Sequence, residues 1–137
     1  MNEEAVRLWV QKAEDDLQAG KLLMQTENPI TWIVCFHMQQ CVEKYLKAFL
    51  IFHGREQPRT HNIPALVNLC AEIDPSFGQL KSRGVRELTR YAIIFRYGEE
   101  PYTPDQKETQ RAIELAERTR SLVRQRLVQA GMVLEQE

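Results

Sequence analysis

The chain has only three cysteines in its 137 residues, Cys35, Cys41 and Cys70, with no Cys-x-x-Cys pair among them. An odd count without that spacing argues against a disulfide framework and favours a reducing, cytoplasmic setting. No apolar run approaches the roughly 18 residues that a membrane span requires. The longest greasy stretch, Tyr45 to Phe52, is interrupted by Lys47. The opening Met-Asn-Glu-Glu-Ala-Val-Arg is acidic and helix-like, unlike a secretory signal, so a cytoplasmic protein with no membrane contact is expected. Nothing alternates with period two over a useful length, which excludes a sheet. Gly-rich phosphate cradles and Gly-x-Ser-x-Gly are absent too. A formal net charge of -1 gives no overall attraction to nucleic acid or membrane.

What is present is helical periodicity. The length and the 43% hydrophobic content suit one domain over 1–137 with a sizeable core. Ala5, Trp9, Ala13, Asp16/Leu17, Gly20 and Leu23/Met24 mark one face of a first helix from about Glu3 to Gln25. Asn28-Pro29 breaks it, and Pro suits the first turn of the next helix. That second helix, about Pro29 to His53, is the most apolar element, and Gly54 ends it as a left-handed cap. Trp32, Phe36, Val42, Leu46 and Phe49 are its expected core residues. Gln40, Glu43, Lys44 and Lys47 are placed largely off the centre of the stripe. Asn62 caps a short third helix that stops at Asp74-Pro75. A fourth covers roughly Phe77 to Phe95, with Leu80, Leu88, Tyr91, Ile94 and Phe95 inward. Thr103-Pro104-Asp105-Gln106 reads as a capping box for a fifth, which runs to about Ala130 before Gly131. The expected fold is all-α, an antiparallel up-and-down bundle of four to five helices.

The chemistry-bearing residues are few. His37, His53 and His61 have no second ligand three or four residues away, so no metal site and no cofactor are expected. Cys35 and Cys70 lie on apolar faces as core thiols. Arg83, Arg86 and Arg90 fall at i, i+3 and i+7, aligned on one helix face. Such a face can meet phosphates or an acidic partner, or be a solvated face that pairs with the acids of the first helix. The loop from Arg55 to His61 sets two arginines near an imidazole. Arginine can hold a phosphate through two parallel hydrogen bonds, and imidazole can move a proton at neutral pH. Alternatively, His61 only ties the loop to the third helix. Arg96 complements the dipole at the end of the fourth helix and can also project into a cleft.

Several of these segments together resemble a known family. Trp9, Ala13, Asp16-Leu17 and Ala19 come first, then Gln39-Gln40-Cys41-Val42-Glu43-Lys44-Tyr45-Leu46-Lys47-Ala48-Phe49-Leu50. Thr60-His61-Asn62-Ile63 and Phe95-Arg96-Tyr97 complete the pattern. The chain resembles the HEPN domain (higher eukaryotes and prokaryotes nucleotide-binding) over nearly its whole length. The resemblance implies a helical bundle that usually dimerises. It also implies a minimal nucleotidyltransferase partner, often encoded alongside as a toxin–antitoxin pair. Many relatives are RNases with an Arg-x(4–6)-His motif around the start of a late helix, where Arg grips phosphate and His transfers a proton. Here Arg96 is followed by Tyr-Gly-Glu-Glu-Pro-Tyr102, without a His. Arg55 and His61 meet the spacing, but in an earlier loop.

The expectation is therefore a non-catalytic HEPN-type module that binds a nucleotide, a nucleotidyltransferase partner, or both. Lys44, Lys47, His61 and Arg96 are its expected nucleotide contacts. One alternative is a metal-independent endoribonuclease that uses Arg55 or Arg96 with His61. The other is a structural homodimeric adaptor.

Overall fold

A computed structural model of the chain describes residues 2–56, 58–97 and 102–135, without the side chains of Arg83 and residues 93–97. The order is α1 (Glu3–Met24), α2 (Thr31–Phe52), α3 (Ile63–Ile73), a 3-10 helix (Pro75–Leu80), α4 (Arg83–Tyr97) and α5 (Gln106–Gln129). No strand occurs among the described residues. Among the described residues, no helix is long and apolar enough to cross a membrane.

Local chemistry fixes most of the ends. The Asn2 side chain accepts from the Ala5 amide and starts α1. The Asn62 side chain accepts from the Ala65 amide and starts α3, with Pro64 in the first turn. Gly54, at φ 72°, ends α2. Its amide bonds the Ile51 carbonyl and the Arg55 amide bonds Leu50, a Schellman pair that satisfies the last open carbonyls.

Side-chain pairs set the helix directions. Asp16 meets Lys44 while Gly20 faces Met38, so α1 and α2 are antiparallel. Thr31 bonds Pro104 and Cys35 meets Thr109, so α5 runs with α2. Glu87 meets Arg111 and Tyr91 meets Glu108, so α4 opposes α5. These four helices form the up-and-down bundle. Between α2 and α4 the chain climbs back along α2 from Gly54 to His61, and α3 then runs in the direction of α2. Packing of α2 against α1, α3, α4 and α5 makes it the central element. Fourteen of its 22 residues are buried, so it has almost no solvent side.

That centrality corrects the expected division of α2. Val42, Leu46 and Phe49 are core, but Trp32 is 39% exposed because it lies in the first turn, near the end of the bundle. Glu43 and Lys47, placed off the stripe, are buried, as is Gln39. The fourth helix divides in two. The Asp74 side chain accepts from the amide and hydroxyl of Ser76, starting a 3-10 turn whose three-residue period buries both Phe77 and Leu80. Lys81 is then extended, and α4 begins at Arg83. Leu80, Leu88 and Tyr91 are buried as expected, while the Ile94 and Phe95 side chains lie outside the described residues. The cap of α5 is Asp105 rather than Thr103. The Asp105 carboxylate accepts from the Glu108 amide at 2.8 Å, and the Pro104 carbonyl is taken by the Thr31 hydroxyl.

Candidate functional site

The Gln-Gln…Glu-Lys segment of α2 separates onto two helix faces. Gln39, Glu43 and Lys47 recur every four residues and share one face. His37 and Lys44, seven apart, share another.

On the first face Glu43 is the centre. Its Oε1 accepts from Gln39 Nε2 at 2.8 Å and sits 2.7 Å from His61 Nδ1. Its Oε2 accepts from Lys47 Nζ at 2.9 Å. Gln40 donates to Gln39 at 2.6 Å and extends the chain of bonds outward. Burial pushes the Glu43 carboxyl up, but the hydrogen bonds from His61, Lys47 and Gln39 outweigh it and hold it below its ordinary value. The carboxylate stays ionised and inside because three donors replace its water. The Lys47 side chain is only 6% exposed, whereas that of His61 is 32% exposed. With Glu43 ionised, Nδ1 of His61 donates to it, while part of the ring reaches solvent. An imidazole oriented in this way can take up and return a proton.

On the second face Asp16 of α1 divides its oxygens. Oδ1 lies 2.9 Å from His37 Nδ1, and Oδ2 takes the Lys44 ammonium. Glu14, two residues nearer the N-terminus, takes Arg120, Arg124 and the Tyr45 hydroxyl. Asp16 and Glu14 therefore pair with α2 and α5, while Glu3 pairs with Arg7 of its own helix. Nothing in the sequence spacing links Asp16 to His37 or Glu14 to Arg120, since each pair is joined only by helix packing.

The expected site residues lie in different places. Lys44 is half-buried against Asp16. Lys47 and His61 share Glu43. Arg55 is exposed at the far end of α2, 3.4 Å from Glu72. His61 stands at the level of Glu43, and the ten residues from there to His53 correspond to roughly 15 Å of helix. Arg55 and His61 are thus held by different carboxylates at different heights of the bundle. The Arg96 side chain lies outside the described residues. Its backbone is two turns beyond Thr89, whose hydroxyl accepts from the Ile63 amide beside His61.

A third polar centre was not legible beforehand. Glu108, buried at the start of α5, accepts from the hydroxyls of both Tyr91 and Tyr102. Cys35, Cys41 and Cys70 are all buried thiols. Burial pushes Cys35 up to about 11 and Cys70 up to about 12, which removes nucleophilic thiolate at neutral pH. No group of three or more potential metal ligands converges among the described residues.

Comparison with known proteins agrees with this architecture. A relative from Methanocaldococcus jannaschii, named "Putative toxin MJ1304", is 40% identical over 53 residues. The match covers 39% of this chain and 34% of that protein, so it spans about a third of the relative's length. No solved structure matches the chain. The HEPN domain family matches residues 6–126, from the first helix almost to the end of α5. The chain belongs to the HEPN domain family.

Proposed function

We propose that this chain is a HEPN module that binds a minimal nucleotidyltransferase partner, a nucleotide, or both, as one half of a toxin–antitoxin-like pair, and does not itself cleave RNA. The observation that carries the reading is the separation of Arg55 from His61. Arg55 is turned to Glu72, so the one Arg-x(5)-His spacing in the chain does not put a phosphate-gripping arginine beside the imidazole. The toxin-like relative supports the kind of pair proposed. Lys44, His61 and Arg96 are the proposed nucleotide contacts. Lys47 acts on Glu43 instead, because its ammonium is sealed from solvent by the carboxylate it holds.

The test is co-purification with a minimal nucleotidyltransferase, together with calorimetric titration of ATP. A nucleotide that binds the native state must also raise the melting temperature. Capture of neither partner nor nucleotide sinks the reading. Dimerisation with no ligand effect on melting favours the homodimeric adaptor.

One observation favours an enzyme as the second reading. His61 is oriented by a buried carboxylate while part of its side chain reaches solvent, an arrangement suited to proton transfer. Under that reading the purified protein degrades RNA in EDTA, and His61→Ala abolishes the cleavage. Equal cleavage by wild type and His61→Ala rules out the imidazole as the base.

A further inference from the structure

The seam between α1 and α5 has no part in the reading above. Both helices pack on α2 and scarcely touch each other. What joins them is polar: Glu14 to Arg120, and Lys21 to Glu117 at 3.1 Å. Such long side chains leave a continuous channel, with Glu14 and Gln18 lining both its upper and its lower half. The exposed Leu8 borders the upper half and the exposed Leu22 the lower.

The upper half already holds a peptide, the chain's own tail. Gly131, at φ 101°, ends α5, and the Met132 amide bonds the Leu127 carbonyl, which turns the chain back. Beyond that turn the side chains alternate. Met132 is 2% exposed and Leu134 packs on the core, while Val133 between them is 76% exposed. That is the period of an extended strand. Both walls take its carbonyls: Arg7 of α1 donates to Val133 at 3.4 Å, and Arg124 of α5 donates to Glu135 at 2.6 Å. Among the described residues, no backbone bond ties the tail to α1. Two inward apolar side chains and two arginine–carbonyl bonds hold it, and these demand nothing of the sequence except apolar residues two apart.

We propose that the α1–α5 channel docks an extended segment of a partner protein, apolar at alternate residues, and that the tail is its resident competitor. The segment is extended rather than helical, because a helix spends its carbonyls on itself along its length and leaves Arg7 and Arg124 nothing to take. A partner segment longer than the tail also reaches the open lower half, where Leu17 and Leu22 offer apolar contact. That added contact offsets the advantage of the attached tail, whose effective concentration is on the order of millimolar for a short linker. The proposal goes beyond the partner-module reading, which names no surface. Capture of a nucleotidyltransferase can fail while a peptide displaces the tail, and the reverse, so the two readings fall separately.

The experiment places a nitroxide on the V133C variant of the full chain and follows its mobility by electron paramagnetic resonance. The native cysteines are buried, so the label goes to the introduced thiol. The probe is the heptapeptide Gly-Met-Val-Leu-Glu-Gln-Glu, the sequence of residues 131–137. An identical peptide displaces half of the tail when its concentration matches the tail's effective concentration, so peptide at roughly millimolar levels should sharpen the spectrum. The same peptide with serine in place of its Met and Leu should leave the spectrum unchanged. In a second arm, M132S/L134S removes both anchors. The fluorescein-labelled heptapeptide should bind that variant about tenfold or more tightly than wild type, read by anisotropy. Adding R7A/R124A should weaken this binding by about fivefold or more. Unchanged circular dichroism verifies that the variants fold, and L134S, at the partly buried position, takes the place of the double variant if that fails to fold. The proposal is overturned by a spectrum that the peptide leaves unchanged, by equal effects of the two peptides, or by undiminished binding after R7A/R124A. A wild-type dimer that M132S/L134S converts to a monomer also overturns it, because the tail is then exchanged between copies rather than displaced by a partner.

Discussion

The Nδ1 of His61 lies 2.7 Å from Oε1 of Glu43, joining two residues 18 positions apart in the chain. Glu43 is buried in the middle of α2, and His61 is the partly exposed end of the bond. Through this contact the loop after α2 is pinned back along the helix it has just left, and α3 starts where it can pack. Because Lys47 holds the other oxygen of Glu43, the polar signature of α2 is an internal network more than a surface.

Lys47 should therefore matter for stability. Lys47→Ala removes one partner of a buried pair and leaves Glu43 undercompensated. The expected cost is about 3 kcal/mol, within the range for breaking buried ion pairs. Leu46→Ala, at a fully buried position, should cost about 2–5 kcal/mol. Urea unfolding of both variants gives the comparison. A Lys47→Ala loss below about 0.5 kcal/mol, as at an ordinary surface site, contradicts the network.

Acid should expose the same carboxylate. The Glu43 carboxyl lies below its ordinary value in the folded chain. A depressed folded-state value means that its stabilisation is fully present above the unfolded glutamate value, about 4.3. That stabilisation is lost as pH falls from there through the folded-state value. Stability followed from pH 7 down to about pH 3 should fall in that window. Glu43→Gln should be less stable at neutral pH and show a shallower acid slope; an unaltered slope would assign the acid sensitivity to other groups.

The cysteines should be silent in the native state. Cys35 is pushed up to about 11 and Cys70 up to about 12, and burial raises Cys41 further still. At pH 8, Ellman's reagent should label none of the three quickly, and all three once the protein is unfolded in denaturant. Rapid labelling of any native thiol would show that the bundle opens there.

Glu108 should be needed to satisfy two phenols. Tyr91 is buried, and burial first, then its bond to Glu108, raises its phenol above the ordinary value. Glu108→Ala strands that hydroxyl, with an expected cost of about 1–3 kcal/mol. Thermal melts measure it. Tyr102→Phe should cost less, because Tyr102 is partly exposed and Glu108 keeps its bond to Tyr91.

Much of the fold was legible because helix signals are local. Asn62 caps α3 and Gly54 ends α2 through bonds within four or five residues. The core thiols Cys35 and Cys70 followed from their places on apolar faces. The start of α5 was misplaced by two residues because Thr103 and Asp105 are both good caps. What chose Asp105 was the distant Thr31, which engages Pro104, and the inward turn of Glu108.

By itself the sequence determined five helical segments, their breakers and the family pattern. Each depends on interactions within a turn or on the period of one helix. Only the tertiary structure decided which polar residues of α2 are inside. A helix packed on four sides has no outward face to which a hydrophobic pattern could assign Gln39, Glu43 or Lys47. Their burial is tolerable only because His61 arrives from a loop that climbs back along α2. The same climb separates Arg55 from His61, so a spacing that looked like one motif in the chain became two unrelated contacts with different carboxylates in the fold.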